Sequence, residues 1–336
     1  MNINFIFFFI LFSLIFTYFC KKNDFIVDYK LEKHKRFSSK LKTNSIGGIL
    51  LMVFLIYEFL LVKSDYIFLL FLILIFTVGF MSDIKKLNHV GLRFFLQLIL
   101  IILFSKIIGL EIQTTKIDFI DKILSHSYLN ILFVTFCLMV LTNGGNFIDG
   151  MNGLMIKYYL LIYLVIFFYF GNNLGVDIKF LINLSTILTI ILILNMSGQI
   201  YMGDSGSYVL SLFTGIYLIN FAYNNIFISP YFVIVLLWYP CFELLFSMIR
   251  RSVYNSKTYK PDVLHLHQFI YNFIKSKINS NDLICHVFTS LSINLYNLII
   301  FILATSFIYS SEILISLLII NICFYLFIYN LLKKND

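Results

Sequence analysis

The sequence predicts an all-α, polytopic membrane protein with about eleven transmembrane helices. Of its 336 residues, 60% are hydrophobic and only 12% are charged, and the mean hydropathy is +0.91. The apolar residues gather in runs close to the roughly 20 residues that cross about 30 Å of hydrocarbon as a helix. No stretch between the runs is long enough for a separate soluble domain, so we expect a single polytopic domain over 1–336. The eleven runs are 3–20, 46–63, 66–81, 93–110, 127–142, 154–171, 178–194, 207–223, 228–249, 286–309 and 312–332.

The distribution of basic residues predicts the orientation of these helices. Lys21 and Lys22 follow the first run instead of preceding it, which argues against a cleavable signal peptide and favours an amino terminus outside. Alternation from there predicts a carboxyl terminus inside and leaves few of the 25 Lys and Arg residues outside the cytoplasmic side. The net charge of +8 therefore indicates topology and attraction to anionic lipid and phosphate, and no nucleic-acid partner is expected. The basic residues outside the cytoplasmic side are Lys63, Lys106, Lys116, Lys122 and Lys179.

Polar residues concentrate in the predicted cytoplasmic connections, above all in TNGGNFIDGMNGL at 142–154. Asn143, Asn146 and Asp149 recur at intervals of three, so in a helix their side chains share one face. An amide both donates and accepts hydrogen bonds, which suits a nucleobase or sugar, and a carboxylate suits a hard metal ion. The simpler alternative is that one of them caps the next helix.

Two further aspartates stand beside glycines where apolar runs end or begin. Asp83 lies in GFMSDIKKL at 79–87, and Asp204 lies in YMGDSGS at 201–207. A carboxylate at that depth is costly unless it is paired or bound to a cation, and the start of a glycine-rich helix binds phosphate. We expect the glycines to let the backbone approach a ligand. A lysine partner for Asp83 and a capping role for Asp204 remain the alternatives.

The last polar connection joins basic residues to two histidines. Glu243 lies near the end of the ninth run, and Arg250 and Arg251 follow that run directly. PDVLHLHQ comes next at 261–268, with Asp262, His265 and His267. Two histidines alone are weak evidence for zinc, and hydrogen bonding to a diphosphate suits them equally. Glu243 and Arg250, seven residues apart, have the alternative of pairing on one helix face.

In this order, the segments resemble the polyprenyl-phosphate N-acetylhexosamine-1-phosphate transferases of the glycosyltransferase 4 family. That family includes undecaprenyl-phosphate GlcNAc-1-phosphate transferases and the bacterial phospho-N-acetylmuramoyl-pentapeptide transferase. The resemblance covers about 20–270, so the two helices predicted in 286–332 lie beyond it, and the form of PDVLHLHQ is closer to the GlcNAc-1-phosphate branch. Four positions depart from the family pattern, which has aspartate at the first three and histidine at the fourth: Ser82, Asn152, Glu243 and Gln268.

The resemblance implies transfer of a sugar-1-phosphate from a UDP-N-acetylhexosamine to undecaprenyl phosphate, with release of UMP. It further implies Mg²⁺, a bacterial inner membrane, an active site facing the cytoplasm, a role in cell-envelope polysaccharide synthesis and a possible homodimer. The alternatives are the muramoyl-pentapeptide transferase reaction, a non-catalytic family member, and a transporter, whose polar residues would lie near the bilayer midplane. The roles implied are catalytic for Asp83, Asp149 and Asp204, metal-binding for Asp204 and Asp149, and substrate-binding for Asn143, Asn146, Arg250, Arg251, His265 and His267.

Overall fold

The computed structural model describes residues 3–28, 43–171, 176–253, 264–278 and 280–334. Within these ranges the chain forms thirteen α-helices and three short strands, and a π-helical stretch, Tyr57–Val62, continues the second helix. The strands are β1 (Val27–Asp28), β2 (Thr43–Ser45) and β3 (Ile200–Tyr201). The helices are α1 (Ile3–Lys22), α2 (Gly47–Ile56), α3 (Tyr66–Asp83), α4 (Val90–Ile108), α5 (Asp118–Leu124), α6 (Ser127–Ile148), α7 (Leu154–Phe170), α8 (Ile178–Met196), α9 (Gly203–Asn224), α10 (Pro230–Val253), α11 (Leu266–Lys277), α12 (Asp282–Ser306) and α13 (Ser311–Lys333).

The all-α, polytopic fold predicted from the hydrophobic runs is confirmed, and each run coincides with one helix. Nine helices in the described part of the chain are long and apolar enough to cross a membrane. The two remaining runs form shorter apolar helices, Gly47–Val62 and Leu154–Phe170. Helices α5 and α11 were not among the predicted spans, because each is too short for the length rule on which that prediction rests.

Helix α9 lies at the centre of the bundle, where it packs against α2, α3 and α6. Its buried hydroxyl groups face tyrosines of α7. The hydroxyl of Tyr159 donates to Ser211 Oγ at 2.9 Å, and Tyr163 and Thr214 share a hydrogen bond of 2.6 Å. Hydrocarbon offers no hydrogen-bond partner, so buried polar groups in a membrane helix need partners from the protein itself. These pairs stabilise α9 in the interior of the bundle.

Glycines bring α3 to α9 and α6 to α10 at very short range. A Cβ atom at Gly79 would lie 2.5 Å from Ser205 Cα, and one at Gly144 would lie 2.3 Å from the Pro240 carbonyl oxygen. The sequence suggested that the glycines serve approach to a ligand. At these two positions they serve the approach of one helix to another, which is the usual use of small residues between membrane helices.

A three-stranded sheet lies where α2 and α9 begin. β1 pairs antiparallel with β2, and β2 pairs parallel with β3, with Asn44 opposite Ile200 and Ser45 opposite Tyr201. The Gly48 N–H then donates to the Met202 carbonyl at 3.0 Å. The sheet therefore holds the starts of two helices side by side at one end of the bundle.

Candidate functional site

The start of α9 is capped by a side chain from a different helix. Gly203 has φ +74, and the residue before it, Met202, makes no side-chain capping bond. Asp83, the last residue of α3, takes that role. Its Oδ1 accepts the Asp204 N–H at 2.8 Å, and its Oδ2 accepts the Ser205 N–H at 3.0 Å and the Ser205 hydroxyl at 2.6 Å. A carboxylate satisfies the unpaired N–H groups of a helix start and complements its positive end. Sequence reasoning did not anticipate this role for Asp83.

The side chain of Asp204 faces the other way, toward α3 and α4. Its Oδ2 accepts hydrogen bonds from Ser82 Oγ and from Arg93 Nη1, each at 2.5 Å, and Arg93 also contacts the Ser82 hydroxyl. Ser82 stands where the resemblance has a second aspartate. Here it donates to Asp204 instead of adding charge, and Arg93 supplies the positive charge next to Asp204.

The oxygen atoms at Asp204 fit a Mg²⁺ site in which most of the ligands are water and substrate oxygens. Asp204 is partly exposed, and the hydrogen bonds that the structure gives its carboxylate all fall on Oδ2, which leaves Oδ1 for an incoming ligand. Mg²⁺ is usually bound by one or two carboxylates plus phosphates and water. Among the described residues, no group of three or more His, Cys, Asp and Glu side chains is arranged to hold a metal ion.

The carboxyl end of α6 connects this region to α4 and α9. Because α6 continues to Ile148, Asn143 and Asn146 are helical, as their spacing requires. The Asn143 side-chain amide donates to Gln97 Oε1 at 3.3 Å, and that of Asn146 donates to the Tyr208 hydroxyl at 3.4 Å. Tyr208 lies one helical turn after Asp204, so the amides of α6 are neighbours of the Asp83–Asp204 region.

The same end of α6 also meets the histidines before and within α11. The rings of Phe147 and His265 contact each other edge to face at 5.2 Å, and the Arg251 guanidinium lies 5.5 Å from the Phe147 ring centre. A Cβ atom at Gly150 would lie 3.3 Å from His267 Nε2. In the sequence, Asp149 lies between Phe147 and Gly150. The end of α6 thus contacts α9 through Tyr208, α10 through Arg251, and the residue before α11 through His265.

Glu243 pairs with His265, so the alternative in which Glu243 pairs with Arg250 is wrong. Glu243 is fully buried, and its two oxygens accept His265 Nδ1–H at 2.9 Å and the Tyr325 hydroxyl at 2.8 Å. Arg250 donates instead to the Leu264 carbonyl and to the Tyr329 hydroxyl. Asp262, predicted to act with the histidines, lies outside the described residues.

A family comparison agrees with this geometry. The sequence model of Glycosyl transferase family 4 matches residues 66–222. The match supports membership of this family. A search of curated proteins finds none that matches the chain. The match also supports a polyprenyl-phosphate sugar-1-phosphate transferase in general. The match spans α3 to α9 and so includes Asp83, Asn143, Asn146, Asp149 and Asp204, whereas the histidines and α10 to α13 lie beyond it.

The departure of this chain from the family pattern at position 152 has a structural reason. Asn152 is fully buried, and its side-chain amide donates to the Asn195 carbonyl at 2.5 Å, while its backbone N–H faces His286 Nδ1 at 3.5 Å. A carboxylate has no proton to donate to a carbonyl. Asn152 therefore joins α7 to α8 and α12, and the loss of an aspartate here is compatible with the packing around it.

His267 is electrically neutral in this site. The pKa of His267 is lowered to about 3, mainly by burial and also by the neighbouring His265, although Glu243 opposes both effects. The two imidazole rings lie parallel with their centres 5.4 Å apart. A neutral imidazole interacts with a phosphate through a hydrogen bond and not through charge, so positive charge at this site comes from arginines such as Arg251 and Arg93.

Proposed function

We propose that this protein transfers N-acetylglucosamine-1-phosphate, or a related N-acetylhexosamine-1-phosphate, from a UDP-sugar to undecaprenyl phosphate. UMP is the second product, and the lipid-linked sugar enters a cell-envelope polysaccharide pathway. The observation that carries this proposal is that the end of α6 contacts the neighbourhoods of two unlike groups of residues, through Asn146 to Tyr208 and through Phe147 to His265. Asp204 with Arg93 and Ser82 lies on one side, and His265 with Arg251 lies on the other.

The chemistry explains why such residues are needed together. An oxygen of the lipid phosphate forms a bond to the β-phosphorus of the UDP-sugar, and the bond from that phosphorus to the UMP oxygen breaks. Several negative charges must approach one another, so cationic and hydrogen-bonding groups around them stabilise the transition state. We assign this role to Arg251, Arg93, His265 and His267, and keep Arg250 as a predicted contact. The amides of Asn143 and Asn146 would hold the nucleotide or sugar.

Mg²⁺ would be held by Asp204, with Asp149 as the predicted second carboxylate. When bound, the ion supplies charge neutralisation for the diphosphate and the departing UMP. A general base is dispensable in this reaction, because a phosphate monoester has a second pKa of about 6 and is mostly dianionic at neutral pH. Asp83 therefore contributes to catalysis in this proposal by fixing the backbone that carries Asp204.

The direct test uses purified protein with radiolabelled UDP-GlcNAc, undecaprenyl phosphate and Mg²⁺. We expect equal amounts of UMP and lipid-linked sugar from the wild type and neither product from Asp204→Asn. Asp65→Asn is the matched control, because Asp65 caps α3 at the far end of that helix. Full turnover by Asp204→Asn would refute the role of Asp204, and a panel of UDP-sugars would identify the donor.

In the proposed topology, the amino terminus lies outside, and the site and the carboxyl terminus face the cytoplasm of a bacterial inner membrane. The distribution of Lys and Arg supports it. Fusions of green fluorescent protein or alkaline phosphatase after Lys334 test it, since the first is fluorescent only inside and the second is active only outside. The mass of the solubilised protein tests the expected homodimer.

A non-catalytic family member is the second candidate, and the ion pair between Arg93 and Asp204 favours it. Arg93 partly neutralises the carboxylate proposed to hold Mg²⁺. This candidate predicts binding of UDP-GlcNAc, measured by calorimetry, without any UMP release. Lipid-linked product in the assay above would exclude it.

A further inference from the structure

The last helix, α13, contacts the candidate site although it lies beyond the family match. The hydroxyl of Tyr325 donates to Glu243 Oε2 at 2.8 Å, and Glu243 Oε1 accepts the His265 Nδ1–H at 2.9 Å. Exposure is 1% for Tyr325 and 0% for Glu243. A chain of hydrogen bonds therefore runs from Tyr325 in α13 through Glu243 in α10 to His265, the residue that precedes α11.

A second contact from α13 holds the backbone next to His265. Tyr329, one turn after Tyr325, accepts a hydrogen bond from Arg250 Nη1 at 2.8 Å and donates to the Leu264 carbonyl at 3.3 Å. Arg250 donates to the same carbonyl. Gln268 Oε1 accepts the His265 backbone N–H at 3.1 Å. Both the ring of His265 and the backbone on either side of its Cα are thus held.

The physical consequence concerns the tautomer of His265. A buried carboxylate needs hydrogen-bond donors, and the Tyr325 hydroxyl and the His265 ring provide them. A carboxylate that accepts from Nδ1 places the proton of a neutral imidazole on that nitrogen. The lone pair then resides on Nε2, on the opposite side of the ring from Glu243. Without the Tyr325 hydroxyl, Glu243 loses one of its two donors and orients the ring less strongly.

We propose that Tyr325 and Glu243 are positioning residues of the transfer reaction, which fix the orientation and the Nδ1–H tautomer of His265. The inference rests on the proposed function, in which His265 contacts the diphosphate. It makes α13 part of the active site. The ring of Tyr325 also packs edge to face against Phe242 at 4.9 Å, so the test must separate the hydroxyl group from the ring.

Tyr325→Phe keeps the ring and removes only the hydroxyl. We expect kcat to fall about tenfold and the KM for undecaprenyl phosphate to stay unchanged. Glu243→Gln should lower kcat about 100-fold, by comparison with metal-bound histidines, for which loss of an orienting partner typically costs 10- to 100-fold. The double variant should be no worse than Glu243→Gln alone, because both act through one path. Tyr296→Phe is the matched control. Its hydroxyl joins α12 to α13 through Asn321 at 2.5 Å, away from Glu243, and its kcat should equal that of the wild type.

The tautomer gives a readout that needs no activity. In ¹⁵N-histidine spectra of the solubilised protein, the signal of His265 is identified as the one that is missing from His265→Ala. In the wild type this signal should show a protonated Nδ1 and an unprotonated Nε2. In Tyr325→Phe the preference for this tautomer should weaken. An Nε2–H tautomer in the wild type, or equal kcat values for Tyr325→Phe and Tyr296→Phe, would overturn the proposal. A wild type without transfer activity would refute the proposed function, and the spectra would still decide whether Tyr325 orients His265.

Discussion

The replacement Asp83→Asn tests whether Asp83 acts as a structural cap or directly on substrate. In the structure, its carboxylate accepts three hydrogen bonds from the first residues of α9. Asparagine is almost the same size but has only one acceptor oxygen. Its NH₂ group would face either the Asp204 N–H or the two donors of Ser205, and the negative charge at the helix start would be lost.

The expected loss of stability follows from these contacts. Losing a hydrogen bond to a charged group removes about 1.5–3 kcal/mol, and losing a charge at a helix terminus removes about 0.3–1 kcal/mol. Because asparagine keeps one acceptor, we expect a net loss of about 2–4 kcal/mol. At about 2 °C per kcal/mol for a large domain, the melting temperature should fall by about 4–8 °C.

The assay is thermal unfolding of purified protein in detergent, measured for both variants alongside transfer activity. Asp65→Asn is the control, because Asp65 accepts one hydrogen bond from Phe68 N–H in its own helix, and asparagine caps helices about as well as aspartate. Its melting temperature should stay within about 1 °C of the wild type by that reasoning. If Asp83→Asn also kept its melting temperature but lost all activity, the cap would be unimportant for folding and Asp83 would act on substrate.

Three further predictions concern packing, acid stability and metal affinity. Gly144→Ala should sharply reduce the yield of folded protein, because its Cβ would lie 2.3 Å from the Pro240 carbonyl oxygen. Gly91→Ala is the control and should give a normal yield, because its Cβ would face only the His89 ring. Gel filtration of the detergent-solubilised proteins measures both yields. His267 binds a proton in the unfolded chain below about pH 6.5 but in the folded protein only near its lowered pKa of about 3. The folded state therefore loses stability as the pH falls through this window, by about 2 kcal/mol at pH 5. Between pH 7 and pH 5, the melting temperature should fall less for His267→Gln than for the wild type. An equal fall for both proteins would contradict the lowered pKa of His267. Ser82→Asp adds a carboxylate beside Asp204 and should lower the Mg²⁺ concentration for half-maximal activity several-fold, while an unchanged or higher value would show that Ser82 lies away from the ion.

The helices were predictable because the bilayer imposes a length on every span. Nine of the described helices meet that length, and the other two runs form shorter apolar helices. The same rule cannot detect α11, which has 12 residues, or strands of two and three residues such as β3 and β2. Those elements depend on partners distant in sequence. The pairing of Ser45 with Tyr201, for example, has no local signal.

The site was predictable where a motif carried it and unpredictable where a long-range contact decided the role. Asn143, Asn146 and Asp149 were predicted to share a helix face; the two asparagines lie in α6, whereas Asp149 is the residue that follows its end. The partners of Asp83 and Glu243 were not predicted, because Asp204 and Tyr325 are 121 and 82 residues away. The pair Tyr325 and Tyr329, spaced four apart on a predicted helix, was the one available signal for the contact with α13. It looks the same as ordinary aromatic packing until Glu243 is placed beside it.

The long-range cap of α9 also has a consequence for biosynthesis. Asp83 leaves the ribosome 121 residues before Asp204, whose N–H donates a hydrogen bond to it, so α3 is made well before α9. When α9 enters the membrane, the acceptor for its first N–H groups is already there, and those groups need not wait in hydrocarbon without a partner. A rearranged gene that encodes α9 ahead of α3 would reverse this order and should yield less inserted protein, even though every contact of the mature fold could still form.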